Sequence, residues 1–312
     1  RRYPHARTSI CKGGKSVRKT TAALLFMVML LSCAIGTYAE QALPEQRDPS
    51  TLVVGHTTMM NGNFFSELWG NNTADIDVRS LIHEYPLIAW TNNEEYQVNG
   101  SVVRTLETTT AASGNRTYTV TLQDDLRYSD GSAITAKDFV FNFLLMSSPQ
   151  IRELSGLSVT KDYLLGFPEY TSEESPFFSG VRLLGDLSFS VTVTAANLPY
   201  YFELSYINNY PLPYKVLVPG SDIADDGMGA YIVGDFTAET LRETLLNPQT
   251  GYISHPVVTS GPYKLVRYDS AAREAEFELN TYYKGNYEGQ VPVIPRIIFR
   301  EIKNENIVSE LR

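Results

Sequence analysis

The alternation of apolar and polar positions along the chain predicts short strands interspersed with amphipathic helices. Residues 51–55 form an apolar run that ends at glycine, which indicates a buried strand. Apolar side chains recur at steps of three and four over residues 77–88. An amphipathic helix is therefore predicted there, with Asp75 or Asp77 at its start. The stretch between these two elements mixes glycine, asparagine and aromatic residues without a period, and is predicted to be a loop.

The clearest local unit covers residues 118–146. Apolar residues alternate with threonines at its start, which predicts a half-buried strand, and a Ser-Asp-Gly turn follows at positions 129–131. Thr135, with Asp138 three residues later, matches the start of a capped helix, and that helix is expected to stop at Pro149. The unit is therefore predicted to be a strand, a turn and a helix.

The second half of the chain continues this mixed pattern. Residues 189–193 and 295–302 are typical of strands, and residues 260–268 with 275–280 are typical of a hairpin. Residues 198–217 are dense in proline and tyrosine and predict a rigid irregular segment. The order of elements is that of a mixed α+β protein. The apolar content of 43% is ample for a core.

The first 39 residues have the composition of a secretory leader. Basic residues, an apolar run over residues 22–35 and small residues before position 40 follow one another. The apolar run is shorter than the roughly 20 residues that a bilayer-spanning helix needs. Cys33 closes a Leu-Leu-Ser-Cys sequence similar to a lipoprotein box. Cleavage before Cys33 would leave a lipid anchor, and cleavage after Ala39 would release a free protein; both outcomes stay open.

Charge, cysteine and histidine content argue against several classes of protein. Both cysteines lie in the leader, so the mature chain is expected to have no internal disulfide and no thiolate metal site. The net charge of −9 becomes more negative once the basic leader is removed, and such a surface repels nucleic acid. His56, His83 and His255 lack the spacing of metal ligands, so neither a metal nor a cofactor is predicted.

Several segments in one order resemble a known family. These are the strand–turn–helix unit of residues 118–143, the proline-rich segment 198–213, the pair 260–265 and 278–285, and the strand 297–302. Together they are similar to the extracellular solute-binding proteins of peptide-type ABC importers, the oligopeptide- and dipeptide-binding group known as family 5. The resemblance runs from about residue 52 to the end of the chain.

The resemblance implies a two-lobed periplasmic-binding-protein-like fold, of which this chain would contain the first lobe and an inserted subdomain. Residues 40–88 and 186–301 are expected to form the first lobe, with residues 89–185 as the insert. Residues 302–312 would begin the crossing to a second lobe that the chain does not contain. With the leader at 1–39, these segments account for the whole sequence.

The resemblance also implies a ligand site. In the family, a short stretch after the first strand supplies backbone hydrogen bonds to the bound peptide. The corresponding positions here are Trp69, Gly70, Asn71 and Asn72. A second candidate is the segment of Asn208, Asn209 and Tyr210. Trp69 could instead fill the rim of the lobe, and Tyr200, Tyr201 and Phe202 are expected in the core.

The predicted function is that of a non-enzymatic receptor. The resemblance implies an extracytoplasmic monomer, in the periplasm or at the outer face of the cytoplasmic membrane, that delivers peptides to an ABC permease. An oligosaccharide or a nickel chelate is the alternative ligand. The rival hypothesis from another class is a secreted glycan hydrolase, which needs two carboxylates facing one cleft. Asp124, Asp125 and Asp130 are assigned to turns and caps rather than to such a site.

Overall fold

The structure, a computed structural model, describes residues 50–157 and 159–310. The predicted leader and Cys33 lie outside these residues. The strands are β1 (Thr51–His56), β2 (Ile88–Trp90), β3 (Tyr96–Val98), β4 (Val103–Thr110), β5 (Arg116–Leu122), β6 (Val181–Gly185), β7 (Ser188–Val193), β8 (Asp222–Asp225), β9 (Ala230–Val233), β10 (Tyr263–Asp269), β11 (Glu274–Leu279) and β12 (Arg296–Glu301). The helices are α1 (Thr73–Ile82), α2 (Ala136–Ser147), α3 (Pro149–Ser155), α4 (Phe167–Thr171), α5 (Tyr214–Leu217), α6 (Ala238–Leu246) and α7 (Ile307–Glu310). Short 3-10 helices lie at Glu67–Trp69, Ala195–Asn197, Glu203–Ile207 and Asn304–Asn306.

The first sheet joins the two ends of the described chain. Its strand order is β1-β12-β11-β10, with β1 parallel to β12 and the other pairs antiparallel. The predicted strands at 51–55 and 295–302 and the predicted hairpin are confirmed here. The predicted burial of residues 51–55 is wrong, because Leu52 and Val53 are 41% and 50% exposed. Helix α1 packs on this sheet because Val78 and Ile82 lie on one of its faces and are fully buried against Phe277 and Phe299. This packing creates the smaller of two apolar cores.

Helix α1 begins earlier than the sequence pattern predicted. Asn72 caps it by accepting a hydrogen bond from the backbone N–H of Asp75 (3.0 Å), so the predicted caps Asp75 and Asp77 are wrong. The helix ends at Ile82 rather than at residue 88, because His83 already has an extended backbone (φ −119°, ψ 116°). Tyr85, two residues further on, has a positive φ of 67°. Tyr85 is still fully buried, which explains why its spacing looked helical.

The second sheet carries the larger core. Its order is β4-β5-β7-β6, all antiparallel, and α2 packs beside it with Phe139 and Phe143 fully buried. The predicted helix start is confirmed: the carboxylate of Asp138 accepts hydrogen bonds from the backbone N–H (2.8 Å) and the hydroxyl (3.0 Å) of Thr135. Burial raises the pKa of Asp138 to about 6.

The predicted end of the inserted subdomain at residue 185 falls inside a hairpin. Strands β6 and β7 are antiparallel neighbours, with Leu183 opposite Phe189, and β7 also pairs with β5. Strand β7 therefore lies in the same sheet as β4–β6, whereas the sequence-based boundary separated them. A boundary after β7 keeps this sheet whole.

Close backbone contacts join the first sheet to the end of α1. The N–H of Gly261 donates to the carbonyl of Ile82 (2.8 Å), and the hydroxyl of Ser260 donates to the carbonyl of Glu84 (3.0 Å). A Cβ at position 261 would overlap the backbone of Leu81 and Ile82. Glycine is required here by the close approach of two chain segments. No helix in the described part of the chain is long and apolar enough to cross a membrane.

We expect Gly261→Ala to destabilise the protein, because the added methyl group forces two backbone segments apart. Overpacking of this kind costs about 1–3 kcal/mol. Gly100→Ala is the matched control, since a Cβ there meets nothing within 4 Å. Urea unfolding of both variants measures the difference in free energy of unfolding. Equal stability of the two variants would show that the contact at Gly261 does not constrain the fold.

Candidate ligand-binding site

A surface pocket of about 370 Å³ lies beside α1 and the chain segment that precedes it. Polar and charged side chains line it, among them Glu67, Asn71, Arg79, His83, Glu84 and Tyr210. Asn71 and Tyr210 come from the two segments that the resemblance singled out, so the fold brings those segments to one place. The pocket is the candidate ligand-binding site.

Most residues of the first predicted segment, 69–72, stabilise the loop before α1 and do not line the pocket. The ring of Trp69 is partly buried and packs near Phe65, with ring centroids 5.9 Å apart, and Asn72 caps α1. Gly70 has a φ of 156°, and its carbonyl accepts a hydrogen bond from Arg79. Of these four residues only Asn71 lines the pocket. The interpretation of Trp69 as a rim residue agrees with its packing.

Arg79 holds the loop that leads into α1. Its Nη1 donates to the carbonyls of Asn63 (2.8 Å) and Gly70 (3.1 Å), and its Nη2 donates to Oδ1 of Asn71 (3.1 Å). Guanidinium is suited to this role because it presents several donors in one plane. The side chain of Asn71 is thereby oriented, while its backbone N–H and C=O have no hydrogen-bond partner among the described residues.

In the second predicted segment, residues 208–210, two residues stabilise the fold and one lines the pocket. Oδ1 of Asn208 accepts a hydrogen bond from the N–H of Ile88 (3.2 Å), so Asn208 joins two segments of the fold. Asn209 is buried and donates to the carbonyl of Phe139 (2.9 Å). Tyr210 lines the pocket, with its ring centroid 5.9 Å from that of His83.

The ionisable groups of the pocket are altered by burial. Burial lowers the pKa of His83 to about 4, so the ring is neutral near pH 7, and its Nε2 lies 3.0 Å from the carbonyl oxygen of Phe64. Burial raises the pKa of Glu84 to about 7 and that of Tyr210 to about 12. The pocket therefore combines a fixed guanidinium, a neutral imidazole and a carboxyl group that titrates near neutrality.

Neither Arg79 nor Glu84 is predicted from the sequence to belong to the site, and His83 is predicted there to be an isolated histidine. Arg79 and His83 are four residues apart, at the end of α1 and just after it, so both reach the same pocket. That spacing was visible in the sequence. It pointed to no site there, because the pocket is completed by Glu67 and Tyr210, which come from other segments of the chain.

The expectation that Tyr200, Tyr201 and Phe202 belong to the core is wrong for the two tyrosines. Tyr200 is 42% exposed and Tyr201 is 88% exposed. They belong to a group of neighbouring rings that we call the aromatic patch. Its members are Trp90, Tyr96, Tyr200, Tyr201, Phe202 and Tyr206. Local composition could not show this exposure, because amphipathic rings occur both in cores and on surfaces.

The acidic residues weighed in the sequence have structural partners. Asp124 pairs with Arg104 (2.9 Å), and Asp125 pairs with Lys284. Oδ1 of Asp130 accepts from the N–H of Ser132 (2.9 Å), which confirms the predicted turn. Within the described residues, no group of three or more histidine, cysteine, aspartate or glutamate side chains is placed to hold a metal ion.

Comparison with known proteins decides the family. The family model for bacterial extracellular solute-binding proteins, family 5 Middle, matches residues 103–312. The chain belongs to this family. The match begins at β4 and covers the second sheet, the aromatic patch apart from Trp90 and Tyr96, and most of the first sheet.

Relatives of this family 5 protein are named as peptide-binding proteins. It is 28% identical over 202 residues to the dipeptide-binding protein of Lactococcus lactis subsp. cremoris. The aligned region covers 62% of this chain and 30% of the relative. It is 23% identical over 200 residues to the periplasmic oligopeptide-binding protein OppA of Escherichia coli, covering 61% and 35%.

Solved structures agree on the fold. Listeria monocytogenes OppA bound to peptide superposes with a TM-score of 0.58 at 14% identity, over 84% of this chain and 45% of that chain. The family 5 chain thus has a partial solute-binding protein fold of mixed α/β class, as expected. It spans about a third of the length of the curated relatives it matches.

We expect Glu84→Gln to change how stability depends on pH. The pKa of Glu84 in the folded state, about 7, exceeds its ordinary value of 4.5, so the folded state binds this proton more tightly. The wild-type protein therefore loses stability as pH rises from about 4.5 to 7, and the glutamine variant does not lose this contribution.

The gain in free energy of unfolding of Glu84→Gln over wild type should grow to on the order of 2 kcal/mol by pH 8. Groups such as Asp138 titrate equally in both proteins and cancel in the difference. Glu107→Gln, at an exposed position of β4, is the matched control and should show no such trend. Chemical unfolding at pH values from 4.5 to 8 measures the free energy of unfolding of each protein. If this free energy depends on pH in the same way for wild type and Glu84→Gln, the raised pKa of Glu84 is contradicted.

Proposed function

We propose that this family 5 protein is the extracytoplasmic solute-binding component of an ABC importer and that it binds peptides. The observation that carries the proposal is the family match over residues 103–312. The names of the relatives, a dipeptide-binding and an oligopeptide-binding protein, support the ligand class. The permease of the importer is the implied partner.

The geometry of the pocket supports a peptide ligand. Asn71 has a backbone donor and a backbone acceptor that the described residues leave unused, at an exposed position of the pocket wall. An extended peptide residue carries one donor and one acceptor at matching spacing, so the two can pair as neighbouring strand residues do. Recognition through the main chain tolerates different side chains, which suits a receptor for many peptides.

We propose that capture works by closure of two lobes around the ligand. A ligand that contacts both lobes only in the closed state shifts the population toward closure by its difference in affinity. Residues 40–88 and those from about 194 to 301 would form the first lobe, with an insert from 89 through β7. The remaining contacts would come from the part of the receptor that this chain does not span.

Export and anchoring complete the proposal. The basic and apolar pattern of residues 1–39 would direct secretion, and Cys33 is the candidate lipid attachment site. The protein would then act as a monomer, free in the periplasm or tethered to the outer face of the cytoplasmic membrane. Acylation of Cys33 can be tested by mass spectrometry of the exported protein.

We propose that the protein is not an enzyme. A glycan hydrolase needs two carboxylates that face one cleft, and in the candidate site the carboxylates are those of Glu67 and Glu84. The curated relatives are named for binding, which favours a receptor. An oligosaccharide or a nickel chelate remains the alternative ligand for the same fold, and both belong in the ligand test.

The decisive experiment is a thermal unfolding screen on the full-length protein. A ligand present at 100 times its Kd stabilises the native state by about 2.7 kcal/mol, which raises Tm by several degrees. We expect pools of di- to hexapeptides to raise Tm. A rise with oligosaccharides or nickel–histidine alone would change the ligand class. No shift with any of the three would overturn the receptor proposal.

The role of Asn71 can be tested through its backbone. Asn71→Pro removes the N–H, whereas Asn71→Ala keeps it, and both lose the side-chain amide that Arg79 contacts. We expect peptide affinity in the full-length protein to be about three- to tenfold weaker for the proline variant than for the alanine variant, the range for one hydrogen bond. Calorimetric titration measures this, with circular dichroism as the check on folding. Equal affinities would show that this N–H does not bind the ligand.

A further inference from the structure

The aromatic patch is a connected and partly exposed surface. The rings of Trp90 and Tyr96 are 4.8 Å apart, and Tyr96 lies 5.7 Å from Phe202. Phe202 in turn contacts Tyr201 at 4.7 Å and Tyr200 at 6.0 Å. The exposed fractions of Trp90 and Tyr201 are 52% and 88%, so ring faces are open to a binding partner.

The patch continues the candidate ligand site along the same two chain segments. Pro86 and Tyr210 line the pocket, and the segments that contain them lead directly to Trp90 and Tyr206 of the patch. Two hydrogen bonds hold these segments side by side: Leu87 N–H to the carbonyl of Asn209 (2.9 Å), and Ile88 N–H to Oδ1 of Asn208 (3.2 Å). An extended ligand that leaves the pocket along them reaches the patch.

The turn beside the patch is acidic. Glu94 and Glu95 occupy the turn between β2 and β3, immediately beyond the opposed pair Trp90 and Tyr96. Both glutamates are exposed, and neither carboxylate has a cationic partner within 4 Å among the described residues. They are thus available to a positively charged group that approaches the ring faces.

The opposite side of the patch is also acidic. Tyr163 stacks on Tyr206 with ring centroids 4.3 Å apart, and Asp162 directly precedes Tyr163 in the chain, next to this side of the patch. Asp162 is exposed and forms no ion pair in the described part of the chain. The cations at this side are Arg116, whose charge is matched by Glu203, and Lys161, whose amino group lies over the ring of Phe143 at 5.1 Å from its centroid. The charge around the rings is therefore complementary to a cation.

We propose that the aromatic patch is a subsite for a lysine or arginine side chain of the bound peptide, beyond the residues held at the pocket. This rests on the proposed function as a peptide receptor. A cation over a tryptophan or tyrosine face is attracted by the ring, and the unpaired carboxylates add to the attraction. An apolar side chain could use the rings but would gain nothing from the acidic rim.

The test is a lysine scan of the ligand with the full-length protein. Hexa-alanine and hexapeptides with one lysine or one glutamate at each position are titrated at low salt. We expect lysine in at least one position to bind roughly 3- to 10-fold more tightly than alanine or glutamate. The preference should decrease in 0.5 M salt, because salt screens exposed charges.

Substitutions in and beside the aromatic patch test whether the preference for lysine arises there. We expect Trp90→Ala to abolish it and Glu94→Gln with Glu95→Gln to reduce it. Tyr282→Ala removes a tyrosine that is 45% exposed elsewhere and should leave it intact. If Trp90→Ala does not fold, the paired glutamine variant, confined to an exposed turn, decides the matter.

Other outcomes overturn the proposal. Equal binding of lysine, alanine and glutamate peptides, or a lysine preference that persists in both patch variants, would remove the subsite but leave peptide binding in place. Failure of every hexapeptide to bind would remove the subsite, and failure of the di- to hexapeptide pools to raise Tm would overturn the peptide receptor itself. A large loss of Tm in ligand-free Trp90→Ala, with the lysine preference unchanged, would show that Trp90 stabilises the fold and does not bind the ligand.

Discussion

The parallel pairing of β1 with β12 is the constraint on which the described structure depends. These strands come from opposite ends of the described chain, with Leu52 opposite Ile297, and all other strands lie in the connection between them. Closing so long a connection costs entropy that only cooperative burial can offset. The offset comes from the apolar face of the first sheet, where Phe277 and Phe299 pack under α1. Once α1 is placed there, its opposite side forms the pocket wall.

Hydrogen bonds to the main chain, rather than ion pairs between side chains, hold the pocket wall in place. Gly261 and Ser260 bond the main chain just after α1, and Arg79 bonds the main chain just before it. The hydrogen bonds at both ends of the helix therefore have backbone carbonyl groups as their acceptors. Such contacts keep the loop in position while leaving the backbone of Asn71 open. That combination suits a receptor that recognises the ligand main chain.

Most polar residues in the predicted binding segments serve the fold first. Asn72 caps a helix, Asn208 ties two segments together, and Asn209 satisfies a buried carbonyl. A buried polar group without a partner is costly, so such side chains are usually engaged within the protein. The groups left for a ligand are the few that the fold does not use. Among them are the main chain of Asn71 and the carboxylates around the aromatic patch.

The sequence by itself determined the strands of the first sheet, strands β5 and β7, the capped helix α2 and the family, because these depend on local periodicity, short-range caps and ordered motifs. Strands β8 and β9, of four residues each, were not predicted. Residues such as Thr135 and Asp138 act on neighbours a few positions away, and their roles can be read locally. The tertiary structure alone decided where α1 begins, that Tyr201 faces solvent, and that Arg79, Glu84 and Tyr210 share one pocket. These features depend on contacts between distant segments, which set burial and hence the pKa of groups such as Glu84. Local pattern carries no information about that burial.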